Sequence, residues 1–275
     1  MSGPDVEKTQ CPHGFPPIVC NSCARPSPCV HGMPQGCLLC AMQIPPNLFR
    51  TAGTAAVGSP LSKTQPNESV TKAYVDGKGY VQNAKFVHKP VAALEKGSIT
   101  GPNAIVLHRT NGWDAAGAMG SFATGIGTHF LVDKDGTVTQ AASLLKYTKH
   151  VGKIKSRCYD SGTCSADETK QIKSWGWAPD KLYNHEKVKA YPTRYPLSED
   201  SIGIEVVAKH HNGAWEAATP AQLASISIIV NFLKDTYRLG ENDIYEHDKI
   251  SYKTAGEGAG LYAGGVQPNS PSPKK

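Results

Sequence analysis

The chain has 275 residues, of which 39% are hydrophobic and 19% are charged. This balance provides enough apolar material for one sizeable core and excludes a coiled coil or a fully disordered chain. No apolar run approaches the roughly 20 residues that a membrane span needs, and the N-terminus shows no basic region followed by an apolar stretch, so we expect neither a membrane helix nor a signal peptide. The net charge of +6 is too small and too scattered to indicate nucleic-acid binding, but it suits an anionic polymer.

Six of the eight cysteines lie in a short N-terminal repeat. Each copy reads C-x-H-G, a short gap and C-x-x-C, and so offers three sulfurs and one imidazole, the ligand set of a tetrahedral structural zinc site. The alternative is a disulfide framework without metal, although disulfides do not require histidines. We expect residues 1–50 to form a Cys/His-rich module with one or two structural Zn²⁺ ions, and the sequence leaves open whether ligands cross over between copies. The predicted ligands are Cys11, His13, Cys20 and Cys23 in the first copy and Cys29, His31, Cys37 and Cys40 in the second.

The regions around the main domain differ from it in composition. Residues 51–70 are rich in small and polar residues and predict a linker, while residues 265–275, with three prolines and two terminal lysines, predict a disordered tail. The main domain should therefore span residues 71–264. Two complete ligand sets leave no open coordination position, so we expect residues 1–50 to dock a partner rather than to perform chemistry.

The main domain begins with strand-like and helix-like segments. The apolar run 104–108 predicts a buried strand, and the Ala- and Gly-rich residues 113–122 predict a helix. Segments 128–133 and 137–140 flank a Lys-Asp-Gly turn and predict a hairpin, and residues 201–207 predict another strand.

A long helix follows the last of these strands. Thr219, Pro220 and Gln222 form a capping box with proline at the first helical position, and we expect the helix to end at Gly240. Together these segments predict an α/β fold with a central mixed β-sheet flanked by helices.

Several polar residues in this domain are candidates for chemistry. His108 ends a predicted strand and His247 follows the strand-like residues 243–246, but either histidine alone is more often structural than a ligand. Glu205 interrupts an apolar strand, where a carboxylate either needs a partner or lies on the solvated face of the sheet. Lys253 lies in a Gly-rich loop that lacks the order of a P-loop and that, alone, is compatible with a surface turn.

Four blocks in this order resemble the zinc-dependent N-acetylmuramoyl-L-alanine amidases of the amidase_2 family, which are similar to peptidoglycan recognition proteins. The blocks are residues 105–108, residues 128–136, residues 201–205 and the set His247-x5-Lys253-x3-Glu257. In addition, Lys149-His150-Val-Gly152 resembles the family's Trp-His-Ala-Gly step, with Lys in place of Trp. The resemblance covers roughly residues 100–262.

The resemblance implies one catalytic Zn²⁺ held by His108, His247 and Glu257, although many relatives have Asp or Cys as the third ligand. Three protein ligands leave a fourth position for water, which the metal activates for attack on an amide.

The remaining roles are also carried over by position. The resemblance implies that Glu205 is the general base, that Lys253 stabilises the transition state and that His150 binds substrate beside the cleft. Such a protein would hydrolyse the bond between N-acetylmuramic acid and L-alanine in peptidoglycan. The alternative is a non-catalytic peptidoglycan-recognition module, but recognition proteins of this fold that do not cut lack one or more metal ligands.

Residues 153–200 form an insertion between the His150 block and the Glu205 strand. This segment is rich in aromatic residues, which would either grip glycan or stem peptide beside the cleft or pack on themselves. Cys158 and Cys164 would form a disulfide in an oxidising compartment and would otherwise be free thiols.

The architecture also suggests a delivery route. We expect synthesis in the cytoplasm and action at the cell wall or periplasm, either as a phage endolysin or as a type VI-like antibacterial effector in a target cell. In the second case residues 1–50 would bind a secretion spike or needle protein, and an immunity protein would be a further partner.

The first prediction concerns residues 1–50, which should be needed for delivery or docking but not for bond cleavage. A 51–275 fragment should digest purified sacculi at a near-normal rate, yet fail to act when expressed in the native producing strain. Cys20→Ser together with Cys23→Ser should act like the truncation, because lost ligands unfold a metal-dependent module. A fragment that is folded but inactive on sacculi would show instead that the module contributes to the active site.

Overall fold

The computed structural model describes residues 72–99 and 101–263. The predicted zinc module with its eight ligands, the linker and the tail lie outside these residues. Among the described residues, none of the helices is long and apolar enough to cross a membrane.

The described residues contain ten strands and six α-helices. The strands are β1 (Tyr74–Val75), β2 (Val81–Gln82), β3 (Phe86–His88), β4 (Ala104–Arg109), β5 (Phe130–Val132), β6 (Val138–Gln140), β7 (Ser201–Val206), β8 (His210–His211), β9 (Ala214–Trp215) and β10 (Ile244–Glu246). The helices are α1 (Ala115–Phe122), α2 (Arg157–Ser161), α3 (Ala166–Trp175), α4 (Pro179–Glu186), α5 (Pro220–Tyr237) and α6 (His247–Ile250), with 3₁₀ turns at Ser198–Asp200 and Glu241–Asp243.

Six of these strands form one mixed sheet in the order β10-β4-β7-β5-β6-β3. All neighbours are parallel except β5 and β6, which are antiparallel and form the predicted hairpin. Two short antiparallel pairs, β1-β2 and β8-β9, stand apart from it. The predicted fold class, a mixed sheet flanked by helices, is confirmed.

Helix α5 begins as its sequence predicts. The Thr219 hydroxyl accepts a hydrogen bond from the Gln222 N–H (3.1 Å), and the Gln222 side chain accepts one from the Thr219 N–H (3.0 Å). The predicted end at Gly240 is wrong, because the helix stops at Tyr237 and Arg238 adopts the left-handed conformation (φ 58°). The N–H groups of Arg238 and Leu239 both reach the carbonyl of Lys234, which closes the last turn before Gly240.

The central sheet is buried on both faces. On one face, the apolar stripe of α5 packs against alternate residues of β4 and β7, among them Ile105, Leu107 and Ile204. On the other face, Val106 of β4 packs in a second cluster with Val151. Because side chains alternate along a strand, the positions next to Leu107 and Ile204 point away from α5, and these are His108 and Glu205.

The insertion carries α2, α3 and α4. Cys158 and Cys164, which the sequence leaves as either thiols or a pair, form a disulfide. The ammonium group of Lys189 lies 2.6 Å from a Glu168 oxygen and 2.7 Å from a Glu186 oxygen, so one half-buried cation joins α3 to the end of α4. The disulfide and this cation therefore link the parts of the insertion to one another.

Candidate active site

Strand pairing brings the predicted site residues to one edge of the sheet. In the parallel pair β4-β7, His108 lies directly beside Glu205. In the pair β10-β4, Glu246 lies beside Leu107, so His247, the next residue, reaches the level of His108. Both histidines and the glutamate thus stand at the carboxyl ends of three neighbouring parallel strands, where open α/β sheets place their ligands.

His108, His247 and Glu257 form a compact buried cluster with potential ligand atoms within 4.8 Å of one another. A Glu257 oxygen lies 2.7 Å from Nδ1 of His247 and 3.7 Å from Nδ1 of His108. The two imidazole rings are tilted by 56° to each other, with centroids 4.0 Å apart. Two imidazole nitrogens and one carboxylate oxygen form a ligand set that suits Zn²⁺.

The hydrogen bonds of His247 show that this cluster needs a cation. Its Nε2 lies 2.8 Å from the Val151 carbonyl oxygen, which can only accept, so Nε2 carries the hydrogen. In a neutral ring Nδ1 then has a lone pair that faces the Glu257 carboxylate at 2.7 Å. Two acceptors in contact repel each other, and only a proton or a metal ion between them makes the contact favourable. The residues present therefore fit a metal ion.

His150 contacts the ring nitrogen of His108 that does not face Glu257. Nε2 of His108 lies 3.1 Å from Nδ1 of His150, and Nε2 of His150 lies 3.3 Å from the Ser201 carbonyl oxygen. Since that carbonyl only accepts, His150 donates to Ser201 and accepts from His108, which leaves Nδ1 of His108 free to bind a metal. A relay of this kind fixes the tautomer of a ligand.

Gly203 makes room for this relay. A Cβ atom there would lie 2.9 Å from Cγ of His150 and 2.8 Å from the Thr128 methyl group, closer than side chains tolerate. His150 lines the cavity, but both of its nitrogens are already bonded within the protein. Its predicted contact with substrate stays a prediction.

The two carboxylates of the site differ in their electrostatics. Burial, and after it the negative charge of Glu257, raises the pKa of Glu205 to about 8, while Lys253 opposes this shift. Burial alone would also raise the pKa of Glu257, but hydrogen bonds and charges from His108 and His247 outweigh it and hold that pKa well below its ordinary value. For His108 burial dominates and lowers the pKa to about 3, so its ring is neutral, as a metal ligand must be.

One cavity of about 340 Å³ collects these groups. All six residues predicted for the main-domain site line it: His108, His150, Glu205, His247, Lys253 and Glu257. The lining also includes the apolar and aromatic side chains of Phe122, Ile126 and Trp215. A cavity that combines apolar lining with a few titratable groups is typical of a small-molecule or catalytic site.

Two further charged residues, which the sequence analysis missed, hold the loop that carries Glu257. Arg109 donates from one nitrogen to the carbonyls of Gly256 (3.0 Å) and Glu257 (2.9 Å). Asp248 accepts from the N–H groups of Gly256 (2.9 Å) and Gly258 (3.2 Å). Both side chains are buried. Each directly follows a predicted histidine ligand, and a charge at that position of a buried strand end is the signal that could have identified them.

The second prediction follows from this loop. Asp248→Asn replaces one acceptor oxygen with an NH₂ group that cannot accept from the loop N–H groups, so the Glu257 carboxylate should lose its fixed position. We expect about 10- to 100-fold weaker Zn²⁺ binding, measured by competition with a chelator. Asp235→Asn, an exposed change on α5, is the matched control. Unchanged Zn²⁺ affinity in folded Asp248→Asn protein would remove Asp248 from the metal site.

The third prediction uses the raised pKa of Glu205. Between its ordinary value of 4.5 and about 8, the unfolded chain is ionised at this residue while the folded chain keeps its proton, so stability falls as pH rises through this window. Gln cannot ionise. Metal-free Glu205→Gln protein should therefore melt several degrees above metal-free wild type at pH 8, and the difference should shrink toward pH 4. A difference that does not change with pH would contradict the raised pKa.

Comparison with known proteins assigns a family to the chain. The family model described as Amidase_2, N-acetylmuramoyl-L-alanine amidase, matches residues 99–258. No curated protein sequence matches the chain.

Solved structures that are similar to the chain include the following three. The N-acetylmuramoyl-L-alanine amidase LysC from Clostridium intestinale URNW matches with a TM-score of 0.35 and 17% identity, over 62% of this chain and 87% of that chain. A selenomethionine derivative of AmpD matches with a TM-score of 0.39 and 17% identity, over 64% of this chain and 87% of that chain. The E. coli amidase AmiD, in complex with anhydro-N-acetylmuramic acid-L-Ala-D-γ-Glu-L-Lys, matches with a TM-score of 0.37 and 14% identity, over 64% of this chain and 57% of that chain.

The family match covers more than half of the chain and includes every residue of the cavity cluster from His108 to Glu257. This chain belongs to the Amidase_2 family of N-acetylmuramoyl-L-alanine amidases.

Proposed function

We propose that the protein is a zinc-dependent peptidoglycan amidase that hydrolyses the bond between N-acetylmuramic acid and L-alanine. One observation carries the proposal: Glu205 faces the same cavity as the cluster of His108, His247 and Glu257, without belonging to it. Family membership supports the reaction class. The AmiD ligand is a muropeptide, and we propose the same class of substrate for this chain.

In this proposal one Zn²⁺ is held by His108, His247 and Glu257. When bound, zinc polarises the carbonyl of the scissile amide and makes a water molecule easier to deprotonate. The chain holds the ligands ready for this role, because Val151 and His150 fix the two rings and Arg109 and Asp248 fix the carboxylate loop.

Glu205 is the proposed proton carrier. Its carboxylate takes a proton from the attacking water as the new C–O bond forms, and then delivers that proton to the L-alanine nitrogen as the C–N bond breaks. Its raised pKa suits this task, because a stronger base accepts the proton more readily and a bound dication would bring the pKa down toward neutrality. The products are a free lactyl carboxylate on the sugar and a peptide with a free amino group.

Lys253 is the proposed stabiliser of the negative charge that develops on the carbonyl oxygen. Its side chain lines the cavity together with Glu205, and its positive charge acts on Glu205. A cation held beside a partly enclosed cavity stabilises an oxyanion more than it would in water.

The competing function is a recognition module that binds peptidoglycan without cutting it. A complete set of His108, His247 and Glu257 together with Glu205 favours the enzyme, because binding alone needs neither a metal cluster nor a half-buried base. Delivery as a type VI-like effector or as a phage endolysin, docking of residues 1–50 on a spike or needle protein, structural zinc in that module and protection by an immunity protein remain parts of the proposal.

The fourth prediction tests the reaction. Glu205→Gln should lower the release of stem peptides from purified sacculi by about 100- to 10,000-fold, because the variant keeps the shape of the base but cannot take a proton. Mass spectrometry of the digest measures the released peptides and shows that the wild type cuts at the L-alanine nitrogen. Metal analysis should give the same zinc content in both proteins.

The matched control is Glu199→Gln. This exposed carboxylate accepts a hydrogen bond from the Tyr183 hydroxyl (2.8 Å), which a Gln oxygen can keep, so activity should stay at the wild-type level. Full activity of folded Glu205→Gln protein would overturn the role of Glu205. Sacculi that bind the wild type but release no peptide would favour the recognition module.

A further inference from the structure

Two exposed aromatic residues lie outside the set that lines the cavity. One is Trp177 in the insertion and the other is Tyr252 in the loop that carries Lys253. Trp177 is 65% exposed and Tyr252 is 46% exposed. Their ring centroids are 5.0 Å apart in an edge-to-face arrangement, and the ammonium group of Lys153 lies 5.2 Å from the Trp177 ring. We call Trp177, Tyr252 and Lys153 the insertion patch. Large aromatic side chains left this exposed are unusual on a folded surface and often indicate a binding site.

The insertion patch is tied to the active-site cavity by the backbone. Tyr252 directly precedes Lys253, which lines the cavity. The Tyr252 N–H donates to the Lys153 carbonyl (2.9 Å), and Ile154 and Ser251 form an antiparallel bridge next to it. The patch therefore lies next along the chain to a residue of the cavity wall, and we expect a substrate in the cleft that extends past Lys253 to meet it.

The positive charge of the patch comes from Lys153. This residue is exposed and, among the described residues, its ammonium group makes no hydrogen bond or ion pair besides its contact with the Trp177 ring. Lys155 lies nearby, with its ammonium group 5.9 Å from the Tyr252 ring, but this group already donates to the Asp248 carbonyl (2.6 Å) and interacts with the charge of Asp160. The surface beside the rings thus offers the charge of Lys153 to an anionic ligand.

We propose that the insertion patch is a subsite for the carboxylate-bearing peptide of the substrate, beyond the L-alanine residue. This inference rests on the proposed function. A stem peptide offers free carboxylates for Lys153 and apolar segments for the two rings, whereas the uncharged sugars of a glycan strand would leave the lysine without a counter-charge. Charge complementarity of this kind selects among ligands more than it adds affinity.

The test compares two substrates that share the scissile bond. The short one is N-acetylmuramoyl-L-alanine, and the long one is N-acetylmuramoyl-L-alanyl-D-γ-glutamyl-L-lysine. Trp177→Ala and Lys153→Glu should lower kcat/KM for the long substrate by about threefold to tenfold, through KM, and leave the short substrate unchanged. The effect of Lys153→Glu should shrink at high salt.

The matched control is Lys170→Glu, which makes the same change of charge at an exposed position of α3. Lys170 lies two residues before Ile172, about 200° around the helix, so it faces away from the side of α3 that lines the hollow beside Trp177. This variant should behave like the wild type on both substrates.

Each alternative gives its own result. Wild-type protein that cleaves neither substrate would contradict the proposed function. The patch could still be tested in that case, by calorimetric binding of the long substrate to Glu205→Gln protein with and without Trp177→Ala. Cleavage of both substrates with equal losses in the patch variants, or with no loss at all, would overturn the subsite. Patch variants that lose binding to peptide-free glycan strands, rather than to the long substrate, would also overturn it and assign the patch to glycan.

Discussion

The parallel pairing of β4 with β7 on one side and with β10 on the other determines where chemistry can occur in this chain. The register sets His108 beside Glu205 and Glu246 beside Leu107, so His247, which directly follows β10, reaches the level of His108. A shift of one residue in either pair would turn the polar side chain to the face covered by α5, where it would be buried among aliphatic residues. The strand register that buries the apolar residues against α5 is therefore the same register that brings the site residues together. Packing on the α5 face stabilises the geometry of the site on the other face.

The two carboxylates of the site line the same cavity, but their pKa values are shifted in opposite directions. Two imidazoles keep Glu257 ionised. Glu205 lies on the strand next to that of His108, and burial together with the negative charge of Glu257 makes its ionisation unfavourable. Two carboxylates whose pKa values are pushed apart by their surroundings are a common arrangement in enzymes that need one permanent charge and one mobile proton. The unfavourable environment of Glu205 destabilises the folded state, and the extensive core on both faces of the sheet offsets this loss of stability.

Much of this arrangement could be predicted from sequence, because strands that end in His or contain a lone Glu stand out against their apolar neighbours. His108, Glu205 and His247 were identifiable in this way as candidates, and the family resemblance then assigned roles to them and to Glu257 and Lys253. Arg109 and Asp248 show only a weaker signal, a charge directly after each histidine ligand, because their partners are backbone groups of a loop whose path depends on the tertiary fold. The end of α5 was misplaced for a related reason: the left-handed turn falls on Arg238, although Gly240 is the residue with the stronger local preference for it. The pairing of Cys158 with Cys164 likewise depends on a turn that the spacing alone does not specify.

The way Asp248 closes the loop over Glu257 has a consequence for how this protein can diverge. Asp248 is the first residue of the segment and binds its far end at Gly256 and Gly258, and a Cβ on Gly258 would lie 2.6 Å from the backbone of Glu246. Hydrogen bonds between the two ends of the segment thus fix its length. The addition or removal of a residue would turn the Glu257 carboxylate away from both imidazoles. Homologous chains should consequently differ in length between the His150 block and β7, where a subdomain can grow at the cleft rim, and should keep the ten-residue interval from the second histidine to the acidic ligand.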